Sequence, residues 1–121
     1  MTQQVVILGA SNKPHRYAYQ ALKALRQAGH QVIPVHPKLE QLEGIAVRHK
    51  LADITAPVDT LTMYLGEARS TPLLDEILAL RPGRVIFNPG SENSLLEQAL
   101  SAAGIPWEHA CTLVMIGTGQ F

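Results

Sequence analysis

Apolar residues recur along this chain with two alternating periods. The run "QVVILG" from Gln4 is short, β-branched and continuously apolar, the pattern of a strand buried on both faces. "RYAYQALKALRQAG" follows, with Ala18, Ala21, Leu22, Leu25 and Ala28 three or four apart on one helical face and Gly29 as a stop. "HQVIPVHP" predicts a second strand ending at Pro37, and "DTLTMYLG" a third, preceded by the breaker Pro57. A helix over "PLLDEILAL" is predicted, capped by Ser70 or Thr71, with Pro72 in its first position and Pro82-Gly83 beyond its end. "GRVIFNPG" predicts a fourth strand. "SENSLLEQALSAAG" predicts a helix capped by Ser91 or Ser94 and ended by Gly104. A last strand is expected either around Ile105 to Trp107 or around Thr112 to Ile116. The segment 38–57 is long for a simple loop and is expected to hold a short helix around "LADI".

Alternating strands and helices joined by short turns imply right-handed crossovers and a parallel sheet covered on both faces. The expected fold class is α/β: one doubly wound, Rossmann-like domain spanning residues 1–121, with about five parallel strands. In such a sheet a ligand sits beyond the carboxyl ends of the strands, where the winding reverses. Topology therefore singles out Gly9 to Arg16, His36 to Lys38, Tyr64 to Glu67 and Asn88 to Ser91.

Composition narrows the partners. The 121 residues carry 10 Lys plus Arg against 10 Asp plus Glu, so no broad attraction to nucleic acid or anionic lipid is expected. Aromatic residues at 5% also leave few platforms for stacking bases. No apolar run approaches the roughly 20 residues of a membrane span. "MTQQVVILGA" lacks a basic leader and reads as a native start rather than a signal peptide. The single Cys111 excludes an internal disulfide framework; a reducing cytoplasm is the expected compartment, and a small packed side chain the expected role.

The loop after the first strand reads Gly9-Ala10-Ser11-Asn12-Lys13-Pro14-His15-Arg16. Gly9 allows a tight turn, Ala10 and Ser11 let a ligand approach the backbone, and a helix starting near Pro14 to Arg16 would aim free amides at an anion. A valine at Gly9 is expected to strain the turn and block the ligand in a protein that still folds. The loop is not GxGxxG. At the end of the second strand an NAD site carries an acid for the ribose hydroxyls. Here the strand ends His36-Pro37-Lys38, a cation beside a possible second donor, which favours a ribose phosphate. NADP and coenzyme A both qualify. The five histidines lack the paired spacing of a zinc site, and neither a G-x-S-x-G elbow nor a Walker loop occurs. His109 and Cys111, two apart on an expected strand, would share a face without meeting well. Tyr64 is expected to be partly buried and to wall the ligand cleft.

The segments "VVILGASNKPHRYAYQAL", "GHQVIPVHPK", "PVDTLTMYL" and "VIFNPGSEN" together resemble the small single-domain CoA-binding proteins, whose fold is similar to the N-terminal CoA-binding domain of succinyl-CoA synthetase α subunits. The resemblance runs from Val5 to about Val114. It implies that Gly9, Ala10 and Ser11 form the phosphate loop, followed by Pro14 and Arg16. It further implies that Pro37 and Lys38 lie near the nucleotide end of the cofactor, that Met63, Tyr64 and Leu65 line the cleft, and that Asn88, Pro89 and Gly90 form the turn where the pantetheine arm passes. Three positions depart from the pattern: His36 where Asn is common, Asn-Pro-Gly where many relatives carry Gln and a glycine, and Ala110 where a basic residue is frequent. The synthetase's phosphohistidine belongs to a second domain, so ligase activity does not carry over.

The leading expectation is non-catalytic binding of coenzyme A or an acyl-CoA, as a sensor or carrier, with neither nucleic acid nor membrane as partner and with the oligomeric state open. The alternative is an NADP-binding reductase or redox sensor. A structural module that has lost its ligand ranks third.

Overall fold

The computed structural model describes residues 2–121. Five strands form one parallel sheet: β1 (Gln4–Leu8), β2 (Gln31–Val35), β5 (Thr60–Met63), β6 (Arg84–Phe87) and β7 (Trp107–His109), in the order β2-β1-β5-β6-β7. Val5, Ile7 and Val32 point to one face, where they pack with Ala18, Leu22 and Leu25 of α1 (Tyr17–Gln27) and Ile116 of α5 (Thr112–Gly117). Val6, Leu8, Val35, Leu61, Met63, Val85 and Phe87 point to the other. There they meet Ile77 of α3 (Leu74–Leu80), Leu96 and Leu100 of α4 (Ser94–Ala102), and Leu51 of a 3-10 turn (Leu51–Asp53). Strands buried on both faces explain why the sequence shows continuous apolar runs rather than alternation. The expected α/β architecture stands, with five parallel strands between two helical layers.

Several elements differ from expectation. The stretch Thr112–Gly117 is helix, not strand: Thr112 and Met115, three apart, are buried, and α5 lies against α1. The last strand is Trp107–His109, overlapping the first alternative only at Trp107. His109 ends that strand and Cys111 is the N-cap residue of α5, so the two never share a strand.

The helical run expected from Pro72 starts earlier, at Glu67. Helix α2 (Glu67–Ser70) leads through a 3-10 turn (Thr71–Leu73) into α3, with Gly66 rather than Ser70 or Thr71 preceding the first turn. In α4 the cap is Asn93, whose side chain accepts the Leu96 amide at 3.2 Å, so neither Ser91 nor Ser94 caps it. Segment 38–57 holds the short helix expected at "LADI" and also an antiparallel hairpin of β3 (Gln41–Leu42) and β4 (Ile45–Ala46). Its turn residues Glu43 and Gly44 both have positive φ (51° and 78°), as a two-residue hairpin turn of this hand requires. Tyr19 donates to the Glu43 carboxylate at 2.7 Å and Arg26 to its carbonyl at 3.1 Å, holding the turn against α1.

Candidate functional site

Strand β1 is the switch point. The chain leaves β1 toward the α1 face and leaves β5 toward the α3 face, so the loops diverge and open a crevice at the carboxyl ends. Gly9 sits at its apex with φ +93°, a conformation open to glycine at little cost. A Cβ there would lie 3.0 Å from Leu65 Cδ2 and 3.1 Å from the Tyr64 carbonyl carbon. The close passage of β1 past β5 therefore crowds any side chain here, whatever the ligand does. This gives the strain expected of a side chain at Gly9 a structural source.

Beyond Gly9, the buried Ala10 donates its amide to the Val35 carbonyl at 3.2 Å and ties the loop to β2. Ser11 Oγ accepts the Lys13 amide at 3.1 Å, and the Arg16 amide donates to Lys13 O at 3.0 Å. Asn12, Pro14 and Arg16 are exposed on these turns. Helix α1 starts at Tyr17, slightly later than expected, and its N-cap residue Arg16 makes no side-chain cap bond. First-turn amides without a cap are the groups that can receive an anion.

A cleft of about 620 Å³ opens from Gly9 toward the α3 face. Leu8, Val35, Leu51, Leu65 and Leu73 give it apolar walls; His36, Pro37 and Lys38 form one rim, and His49, Lys50, Arg69 and Glu76 complete it. Among the described residues the ion pairs are His49–Glu40 and His109–Glu97, so no carboxylate lies within 4.0 Å of the Lys38, Lys50 or Arg69 side-chain nitrogens. Three cations left unpaired around an apolar cleft favour an anionic ligand with an apolar portion.

The His36 ring builds its own turn. Its Nδ1 accepts the amides of Lys38 at 3.0 Å and Leu39 at 3.1 Å, which fixes the chain that presents Lys38. Nε2–H remains free to donate, so His36 can still serve as the second donor beside Lys38. Burial, aided by Lys38 and His49, lowers its pKa below the ordinary histidine value and favours the neutral, accepting ring.

Tyr64 and Leu65 leave β5 on opposite faces: Leu65 lines the cleft, whereas Tyr64 packs with the α1 and α5 cluster. The tyrosine is thus partly buried as expected, yet it is not among the cleft's lining residues. Its hydroxyl is buried without a hydrogen-bond partner, and burial pushes the phenol up to about 12. The Thr62 and Thr112 hydroxyls oppose that shift from nearby, but neither makes a well-formed hydrogen bond to it.

Asn88 is buried and fully engaged. Its Nδ2 donates to Thr62 Oγ1 at 2.7 Å and Met63 O at 2.9 Å, while its Oδ1 accepts the Thr112 amide at 2.9 Å. The side chain joins β5, β6 and the start of α5, leaving no donor for a pantetheine arm. Pro89 and Gly90 are exposed on the turn that follows, where the Gly90 amide donates to the Glu92 carboxylate at 3.0 Å. None of the three lines the cleft.

Of the residues singled out from sequence, the structure gathers Gly9, His36, Pro37, Lys38 and Leu65 around the cleft. Ala10 through Arg16 lie on the adjoining loop, and Asn88–Gly90 one strand further along. Sequence reasoning missed Lys50, Arg69, His49, Leu51, Leu73 and Glu76. The spacing of Arg69, Leu73 and Glu76, four and then three apart, could have marked one helical face above the third strand. Among the described residues no group of three or more His, Cys, Asp or Glu is placed to hold a metal ion. Among the described residues no helix is long and apolar enough to cross a membrane.

A doubly wound parallel domain with a cation-rimmed crevice at its switch point is a Rossmann-like ligand-binding architecture. Comparison with known families makes this specific: the chain belongs to the CoA-binding domain family, whose model matches residues 3–117. The resemblance drawn from the four sequence segments is thereby borne out. A crystal structure of an uncharacterised protein matches 100% of this chain and 99% of its own at 40% identity, with a TM-score of 0.94. A Thermus thermophilus protein matches 98% of this chain and 90% of its own at 33% identity and a TM-score of 0.90. The uncharacterised protein YneT of Bacillus subtilis is 25% identical over 77 residues, which are 64% of this chain and 57% of YneT. The match thus spans little more than half of that curated relative. A dinucleotide-forming acetyl-coenzyme A synthetase of Ca. Korarchaeum cryptofilum matches 87% of this chain and 25% of its own at 19% identity and a TM-score of 0.75. That likeness is one of fold.

Proposed function

We propose that this chain binds coenzyme A or an acyl-CoA in the crevice between β1 and β5, as a binding module rather than an enzyme. The observation that carries the reading is the placement of unpaired Lys38, Lys50 and Arg69 around an apolar cleft with Gly9 at its apex, from which the adjoining loop leads to the uncapped start of α1. Membership of the CoA-binding domain family supports the choice of ligand. The pyrophosphate would approach the loop Gly9–Ser11 and the α1 amides, with Asn12, Pro14 and Arg16 flanking it. Lys38, presented by the His36 turn, would meet the ribose 3′-phosphate. Leu65 would contact the apolar part of the ligand, and the pantetheine arm would pass the turn Asn88–Gly90 by backbone and shape rather than through the Asn88 amide.

Titration calorimetry with coenzyme A and dephospho-coenzyme A, on wild type and on Lys38→Ala, tests this as a closed cycle. Lys38 is exposed, so one charge-assisted contact should be worth about tenfold in affinity at moderate salt, less as salt rises. The variant should weaken coenzyme A by that factor and leave dephospho-coenzyme A nearly unchanged. Equal wild-type affinity for the two ligands would remove Lys38 from this role. Tighter binding of NADP than of coenzyme A would move the site to the reductase or redox-sensor reading, since a cation at the second strand also suits a ribose 2′-phosphate.

A further inference from the structure

The cleft rim contains one acid among its cations. Arg69, Leu73 and Glu76 line the same side, so the run from α2 to α3 presents a cation, an apolar side chain and a carboxylate in succession. The 3-10 turn that supplies Leu51 packs against α3, and Lys50, just before it, lines the cleft with it. Among the described residues no cation lies within ion-pair distance of Glu76. An uncompensated carboxylate repels phosphate at its own end of a cleft whose other groups attract it, so it sets the direction in which an anionic ligand lies. Ionised, it can only accept hydrogen bonds. It therefore calls for an uncharged donor on the ligand, next to the apolar surface of Leu51, Leu65 and Leu73.

We infer that Glu76 accepts a hydrogen bond from the amino group of the ligand's base, so that the cleft selects adenine over a base with no donor at that position. The inference rests on the coenzyme A reading above and adds to it a residue for base selectivity and a polarity: phosphates toward Gly9 and Lys38, base toward α3. A cleft that reads a donor through the half-buried Glu76 carboxylate discriminates against an analogue carrying an acceptor there, because two acceptors then face each other.

The test compares coenzyme A with its deamino analogue, in which a hypoxanthine carbonyl replaces the adenine amino group at almost the same size. Wild type should prefer coenzyme A by about tenfold or more in calorimetric Kd. Glu76→Ala should bring that preference close to unity. Glu76→Gln keeps the side chain's size and can donate as well as accept, so it too should reduce the preference while retaining affinity for both ligands. A preference that survives in both variants, or equal binding of the two ligands by wild type, overturns the role of Glu76. Failure of wild type to bind either ligand is a distinct result: it removes the coenzyme A reading itself and this inference with it.

Discussion

Replacing Asn88 with alanine should reveal what that residue does, because its carboxamide makes three well-formed internal bonds. The substitution removes the donations to Thr62 Oγ1 and Met63 O and the acceptance of the Thr112 amide. Each such bond contributes about 0.5–1.5 kcal/mol net, and a buried donor left unsatisfied costs about 1–3 kcal/mol more. Thr112 has 0% of its surface exposed, so its amide gains no ready solvent partner. The hydroxyl pair Thr62–Thr112 at 2.8 Å survives and offsets part of the loss. Together these place the destabilisation at about 3–5 kcal/mol, a large share of the roughly 5–15 kcal/mol of an ordinary domain. Urea unfolding followed by far-ultraviolet dichroism and by the single Trp107 should show the midpoint falling by about 1–3 M. Trp107 is a suitable reporter, since its ring meets Phe87 of β6 edge-on at 6.0 Å. Titration of the folded variant with coenzyme A should show little change in affinity. A loss of stability below about 1 kcal/mol would mean that the carboxamide is not fixed as described. Strongly weakened binding in a stable variant would return Asn88 to direct ligand contact.

At the crevice apex, Gly9→Ala should cost about 1–3 kcal/mol of stability from the positive φ alone, measured by the same unfolding assay. Adding Leu65→Ala should recover only the side-chain part of the clash, because the Tyr64 backbone stays in place; full recovery would refute the backbone argument. Burial lowers the pKa of both His36 and His30, so the unfolded chain takes up protons more readily than the folded one. The stability they contribute is present above the ordinary value of 6.5 and is lost as pH falls through the lower folded values. Melting temperature should therefore drop below about pH 6.5, and His36→Gln, which keeps an acceptor, should flatten the decline; an unchanged slope would rule out His36 as a source.

The parallel strands were legible because each is an uninterrupted apolar run placed between turn residues, and α1 because its small and apolar positions keep a helical period. The phosphate-loop glycine was legible as a special position, but its reason was not. The contact that crowds a Cβ comes from Leu65 and Tyr64, more than fifty residues away in sequence. The cleft was half legible for a related reason. Lys38 follows a strand end and is placed by topology, whereas Lys50 and Glu76 meet the cleft only after the 3-10 turn and α3 pack together. The hairpin was hidden by its size, two residues per strand, and by a Glu-Gly turn in place of the commoner Asn-Gly.

The sharpest divergence between sequence and structure lies at Thr112–Gly117, and one substitution discriminates the two readings by sign. "TLVMI" is rich in β-branched and apolar residues and so imitates a buried strand. Yet Thr112 and Met115 are buried while Val114 is 60% exposed, the spacing of a helix with one covered face. If this were a core strand, Val114→Ala would open a cavity and cost about 1–3 kcal/mol. In a helix with the valine facing outward, alanine removes a side chain that loses rotamer freedom against the preceding turn. It should then stabilise the fold by up to about 0.5 kcal/mol. The buried neighbour supplies the control: Met115→Ala should destabilise by about 2–4 kcal/mol, because its side chain is removed from the covered face. Urea midpoints of the two variants, measured beside wild type, give both signs in one experiment. A destabilised Val114→Ala together with a tolerated Met115→Ala would invert the exposed and buried faces of α5 and refute its packing against α1.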